Sequence, residues 1–71
     1  MRIEYDPEAD ALYIRFREAD PVDNIDFEDG LTVDLDERRQ LIGIEILSVS
    51  RRLPSDALSS VTLQNLVAVA N

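Results

Sequence analysis

The side chains able to do chemistry in this sequence are carboxylates, arginines, two tyrosines and a few hydroxyls, because histidine, cysteine and lysine are all missing. That removes the usual general base near neutral pH, the thiolate nucleophile, the Schiff-base amine and the imidazole metal ligand. Ser48, Ser50, Ser55, Ser59 and Ser60 therefore have no histidine or lysine to activate them. Paired carboxylates could still do acid-base work, but one of them must sit in a cleft that raises its pKa, and a 71-residue chain has little interior to build one. The expectation is a protein with no catalytic residues and no cofactor.

The acids also invite a calcium reading. Asp34, Asp36 and Glu45 stand at the first, third and twelfth positions of an EF-hand loop, but Arg38 occupies the fifth and Arg39 the position that needs glycine. A cation at a ligand position defeats the site, and such a loop would cut through an apolar strand. Asp23, Asp26 and Asp29 offer only weak, nonspecific association with magnesium or calcium, so no metal site is expected.

Other residues have a structural and a functional account side by side. Glu45 is charged in the middle of an apolar segment; it serves either as a cross-strand partner of Arg15 or Arg17, worth roughly 0.2–1 kcal/mol, or as a recognition carboxylate facing a partner. Tyr5 shares a face with Ile3 and reads as core, whereas Tyr13, beside Arg15, either packs on the surface or anchors an interface. Asp6, Pro7 and Asp10 read as turn makers. Arg38-Arg39 and Arg51-Arg52 read as solvated surface that could dock an acidic patch of a second subunit.

The elements that position these groups follow from alternation. Residues 2–5 place Ile3 and Tyr5 on one face, and residues 11–17 place Leu12, Ile14 and Phe16 on one face with Tyr13, Arg15 and Arg17 on the other, so the stretch 6–10 closes a hairpin. Ile25 and Phe27 alternate before the turn signal Asp29-Gly30, and residues 31–35 follow, which makes a second hairpin. Its acidic first arm suits a sheet edge. After a turn over 36–40, residues 41–48 carry Ile42, Ile44 and Ile46 on one face and Leu41 and Leu47 toward the other, as an inner strand does. Pro54, with Ser55 or Asp56 as a cap, predicts a short helix over 55–60. Residues 61–69 fit either a last strand or an extension of that helix. The fold class expected is α+β, mostly β: a small antiparallel meander sheet of four to six short strands with one short C-terminal helix. The five side chains Leu12, Ile14, Phe16, Ile44 and Ile46 should share one dry layer.

Composition bounds the rest. A chain of 71 residues, 45% hydrophobic and 31% charged, is expected to fold as one domain over residues 1–71 with a modest core. With no cysteine there is neither disulfide nor zinc to reinforce it, so packing or a second subunit must supply stability. No basic segment leads into an apolar one at the start, and no apolar run approaches the roughly 20 residues that span a bilayer, so a cytoplasmic protein is expected. Net charge is −8, and residues 18–37 hold nine acids and no base. Such a surface repels nucleic acid and anionic lipid and attracts basic proteins; its plainer use is solubility.

The segment Tyr5-Asp6-Pro7-Glu8-Ala9-Asp10-Ala11-Leu12-Tyr13-Ile14, then Val33-Asp34-Leu35-Asp36 and Ile42-Gly43-Ile44-Glu45-Ile46-Leu47, resembles the small bacterial domain-of-unknown-function family 2283 over roughly residues 1–54. The resemblance implies a compact strand-rich module with a short helix and no catalytic residues to carry over. Some members resemble the antitoxin half of toxin-antitoxin pairs, beside a basic, ribonuclease-like toxin. Where the family usually has glycine in the turn before the last central strand, this sequence has Arg39, which either accepts strain of about 1 kcal/mol or changes the turn.

Three functional readings follow. The first is a non-catalytic, acidic protein-interaction module, antitoxin-like, that masks a basic, toxin-like protein partner through Tyr13, Arg15, Asp23, Asp26, Glu28, Asp29 and Glu45. The second is a self-associating structural homodimer, and the third a small-ligand binder, which would need a deep apolar pocket.

Overall fold

Five short antiparallel strands form one open sheet in the computed structural model, which describes residues 1–64. They are β1 (Arg2–Asp6), β2 (Ala11–Arg15), β3 (Asp23–Glu28), β4 (Leu31–Leu35) and β5 (Leu41–Leu47), followed by the four-residue helix α1 (Val49–Arg52). The expected strand-rich α+β class is what forms. Two local hairpins, β1-β2 and β3-β4, come first, and β5 returns between them to give the order β1-β2-β5-β4-β3. The acidic strand β3 is an edge, and β5 is the innermost strand.

Each turn has an identifiable cause. The Asp6 carboxylate accepts from the amides of Glu8 (2.9 Å) and Ala9 (3.3 Å), closing the first hairpin. Gly30, at φ 86°, supplies the left-handed residue of the second. The β4-β5 turn is organised by Asp36, a buried carboxylate at 3% exposure. Its oxygens accept from the amides of Arg38 (2.8 Å) and Gln40 (2.9 Å) and from the Arg17 guanidinium (3.0 Å). Arg39 closes this turn in the left-handed region at φ 65°, so of the two alternatives the strained one is realised, and its guanidinium reaches Asp23 at 2.8 Å.

Alternation sends one set of side chains to a single apolar face. In register, Leu12 lies opposite Ile46 and Ile14 opposite Ile44, and Leu31 and Val33 continue both rows. Ile42 is fully buried, with Val49, Leu12 and Leu35 nearly so. Phe16 falls just beyond β2, where its amide donates to the Ile42 carbonyl (2.7 Å), and is more than a third exposed. Tyr5, expected in the core, is 42% exposed, because it sits on edge strand β1 and its hydroxyl points to Asp10 Oδ1 at 3.0 Å.

The helix is earlier than the sequence suggests. It follows β5 at once through Ser48, at φ 55°, while residues 55–58 form only turns, with Ala57 N bonded to the Pro54 carbonyl and Ser59 N to that of Asp56. The reason is a cap supplied from far along the chain. The Asp10 carbonyl accepts from Val49 N (3.1 Å), and the Asp10 carboxylate accepts from Ser50 N (3.0 Å) and Ser50 Oγ (2.7 Å). These contacts satisfy the free amides that open a helix, which among the described residues none after Pro54 does. At the other end Arg52 bonds Leu47 O through Nε (3.0 Å), Glu28 Oε2 through Nη1 (2.6 Å) and the Asp29 carbonyl, tying α1 to the second hairpin. Residues 61–64 are neither strand nor helix, and the remainder of the expected last element lies outside the described residues. Among the described residues no helix is long and apolar enough to cross a membrane.

Two measurements check these assignments. Arg39→Gly and Arg39→Ala both lose the ion pair to Asp23, but only glycine relieves the positive φ; in urea denaturation the glycine variant is expected to be the more stable by about 1 kcal/mol. Equal stabilities would rule out the left-handed turn. Asp10 and Asp36 are both held below the ordinary value of 3.8, Asp10 foremost by the Ser50 hydroxyl and Asp36 foremost by the Gln40 amide. Depressed carboxylates contribute stability that is complete above the unfolded value and lost as pH falls through the folded one. Asp10→Asn and Asp36→Asn are therefore expected to flatten the loss of stability between about pH 5 and pH 2; a variant as acid-sensitive as the parent would show that its carboxylate contributes nothing.

Candidate functional site

Residues directly opposite one another in an antiparallel sheet point to the same side, so the pairing register assembles the second face of this sheet row by row. One row runs Glu4, Tyr13, Glu45, Thr32, Asp26 across all five strands. The next runs Arg2, Arg15, Gly43, Asp34, Asn24. Adjacent members stand one strand spacing apart, about 4.8 Å. The polar half of every alternating segment is thus gathered on one surface.

Gly43 is what lets the centre of this face close. The Tyr13 side chain lies over it, and Tyr13 Oη donates to Asp34 Oδ2 at 2.6 Å. A Cβ on residue 43 would overlap Tyr13 Oη and come within 2.9 Å of the Ile14 carbonyl oxygen. Burial first, then the hydrogen bond and negative charge of Asp34, push the Tyr13 phenol up to about 12, so near neutral pH it is a neutral donor. The Arg15 guanidinium stacks 5.0 Å from the centre of the Tyr13 ring, and its Nη1 donates to the Ala19 carbonyl (3.3 Å). The ring is therefore held from two sides, by Asp34 at its tip and by Arg15 at its face.

The carboxylates of the face are less engaged. Asp26 accepts from Thr32 Oγ1 at 2.9 Å, and Glu4 lies 3.7 Å from Arg2. Glu45 is exposed and has no ion-pair partner among the described residues. The expected Arg15 or Arg17 partner is ruled out by register: Arg15 falls opposite Gly43, and Arg17 is drawn to Asp36. Beside Glu45, an open depression of about 430 Å³ is lined by Glu4, Pro7, Ala11 and Tyr13.

Of the seven residues expected to meet a partner, the structure brings together Tyr13, Arg15, Asp26 and Glu45 on this face. Asp23 lies in register with Leu35, on the other side of the sheet from Asp26, and pairs with Arg39. Glu28 is bound to Arg52, and Asp29 belongs to the β3-β4 turn. Asp23, Asp26 and Asp29 thus cannot converge on one cation, and among the described residues no acidic group is arranged to hold a metal ion. Sequence reasoning gave no role on this face to Gly43, Thr32 and Glu4, and weighed Asp34 only as a calcium ligand. A glycine inside an otherwise apolar strand marks the close approach of another group, and that signal was present at Gly43.

The family model described as "Protein of unknown function (DUF2283)" matches residues 2–50. The chain belongs to this family. No curated protein and no solved structure matches it. The DUF2283 segment contains all five strands and both rows of the polar face, and it ends at Ser50, whose amide and hydroxyl are bound by Asp10.

Gly43→Ala is expected to cost about 1–3 kcal/mol by overpacking, read as a lowered melting temperature. Adding Tyr13→Ala should recover only part, because the Ile14 carbonyl remains in the way. An unchanged melting temperature in Gly43→Ala would mean that Tyr13 is not held over residue 43.

Proposed function

We propose that this chain is a non-catalytic protein-interaction module that receives a basic protein on the polar face of its sheet, as an antitoxin masks a toxin-like partner. The observation that carries the reading is Glu45, an exposed carboxylate at the middle of the innermost strand with no cation of its own among the described residues. It stands next to a tyrosine ring already fixed by Asp34 and Arg15, with Glu4 beyond that ring. A rigid aromatic flanked by carboxylates suits the stem and head of an arginine or lysine side chain, and the depression over Ala11 gives such a stem room.

The net charge of −8 and the acidic run over residues 18–37 would speed encounter with a basic surface, and burial of Tyr13 would then hold the complex. Nucleic acid is not part of this reading, since carboxylates outnumber arginines on the face and repel phosphate. A cytoplasmic, bacterial setting is part of it.

Coexpression and copurification with the product of the adjacent gene, over a salt series, tests the proposal. A complex is expected at low salt that weakens as salt rises, with Glu45→Arg lowering its affinity about tenfold. Absence of a complex at low salt, or undiminished binding by Glu45→Arg, would sink the reading.

A further inference from the structure

The other face of the sheet is apolar and, among the described residues, only partly covered. Its central row is Ile3, Ile14, Ile44, Val33, Ile25, one residue from each strand and no charge among them. Ile14, Ile44 and Val33 are half-buried, and the row ends in Ile3 at 40% and Ile25 at 43% exposure. Helix α1 and the turns after it lie toward one end, where Tyr5, Val49, Leu53 and Leu58 line a common recess. Stable sheets bury an apolar face against a second layer, and a four-residue helix does not span five strands.

The dimensions agree. The chain measures 38 × 29 × 18 Å with a radius of gyration of 13.6 Å, against about 11 Å for a compact chain of this length. Its accessible surface is 5569 Å², about 1,100 Å² above the roughly 4,500 Å² of a compact monomer of this size. Part of the excess belongs to the exposed residues 59–64, and the exposed ends of the apolar row, Ile3 and Ile25, add to it.

We infer that the second layer is a second copy of this chain, packed face to face through the row centred on Ile44. Three features favour self-pairing. The row is nearly the same read from either edge, isoleucine and valine throughout with Ile44 in the middle, so a two-fold axis beneath Ile44 brings like surfaces together, as an isologous contact requires. It has no carboxylate for a basic partner to meet, and stacking leaves the two acidic faces pointing apart, so the charge of −8 on each copy opposes association little. The area is compatible with a small interface: five strands at about 4.8 Å by five residues at about 3.3 Å give roughly 400 Å² in projection for the whole face, of which α1 and the turns after it already cover one end. Sheets stacked this way sit about 10 Å apart with interdigitated side chains. The contact uses the face opposite Glu45, so it stands or falls separately from the proposed binding of a basic protein.

Sedimentation equilibrium of the full chain over a micromolar range tests this, with melting temperature followed against concentration. The parent is expected to be a dimer whose melting temperature rises with concentration. Ile25→Lys, at an exposed position, should raise the dissociation constant about tenfold or more with its circular dichroism unchanged. Glu37→Gln, an equal change of charge in the exposed β4-β5 turn, should leave it unaltered. A parent that is monomeric throughout overturns the inference, as does a dimer indifferent to Ile25→Lys. So does a monomeric full chain that dimerises only when ended at Gln64, since residues 65–71 would then be the cover. A monomer whose complex with a basic protein is lost in Ile25→Lys would assign this face to that protein and equally refute self-pairing.

Discussion

Strand β5 hydrogen-bonds to β2 on one side and to β4 on the other, and within the sheet this is what joins two separate hairpins. Because side chains alternate along it, Ile42, Ile44 and Ile46 go to one face while Gly43 and Glu45 go to the other. Both hairpins must present the matching half of their own alternation to it. A slip of one residue would carry the isoleucines into water and Glu45 into the core, so the apolar row fixes the register and the register fixes the polar face. The candidate site is thus a by-product of the core: Tyr13 meets Gly43 and Asp34 because Ile14 meets Ile44 and Val33.

Two aspartates translate that sheet into a closed structure. Asp36 gathers the turn between β4 and β5 and draws Arg17 to it, while Asp10 ends one hairpin turn and caps a helix with the same side chain. In so small a core such polar junctions matter, since each satisfies several donors that would otherwise face water or go unpaired. Much of the negative charge has structural work of this kind, and Asp23 and Glu28 are further spent on Arg39 and Arg52. Glu45 differs from them in its place, on the innermost strand beside Tyr13, with no ion-pair partner among the described residues.

Strands were legible in the sequence because their signal is local: alternation along residues 11–17 and 41–47, a turn glycine at 30, an acidic arm that belongs at an edge. The helix was misplaced because its cap comes from Asp10, distant in sequence and recognisable beforehand only as a turn residue. Glu45's partner was misjudged for a related reason. Two arginines of suitable charge lay on a neighbouring strand, but pairing offset put one against a glycine and a buried carboxylate took the other. Tyr5 shows the limit of a periodicity argument, which tells which face a side chain takes but not whether anything lies over that face.

The late position of β5 in the chain has a consequence for synthesis. Both hairpins precede residues 41–47 in the chain, and until β5 pairs with them the inner edges of β2 and β4 are two unsatisfied ladders. Either edge can also pair with β5 of another chain, which competes with the tethered one only where chains are crowded, so the exposed ladders make strand exchange the failure mode of this topology.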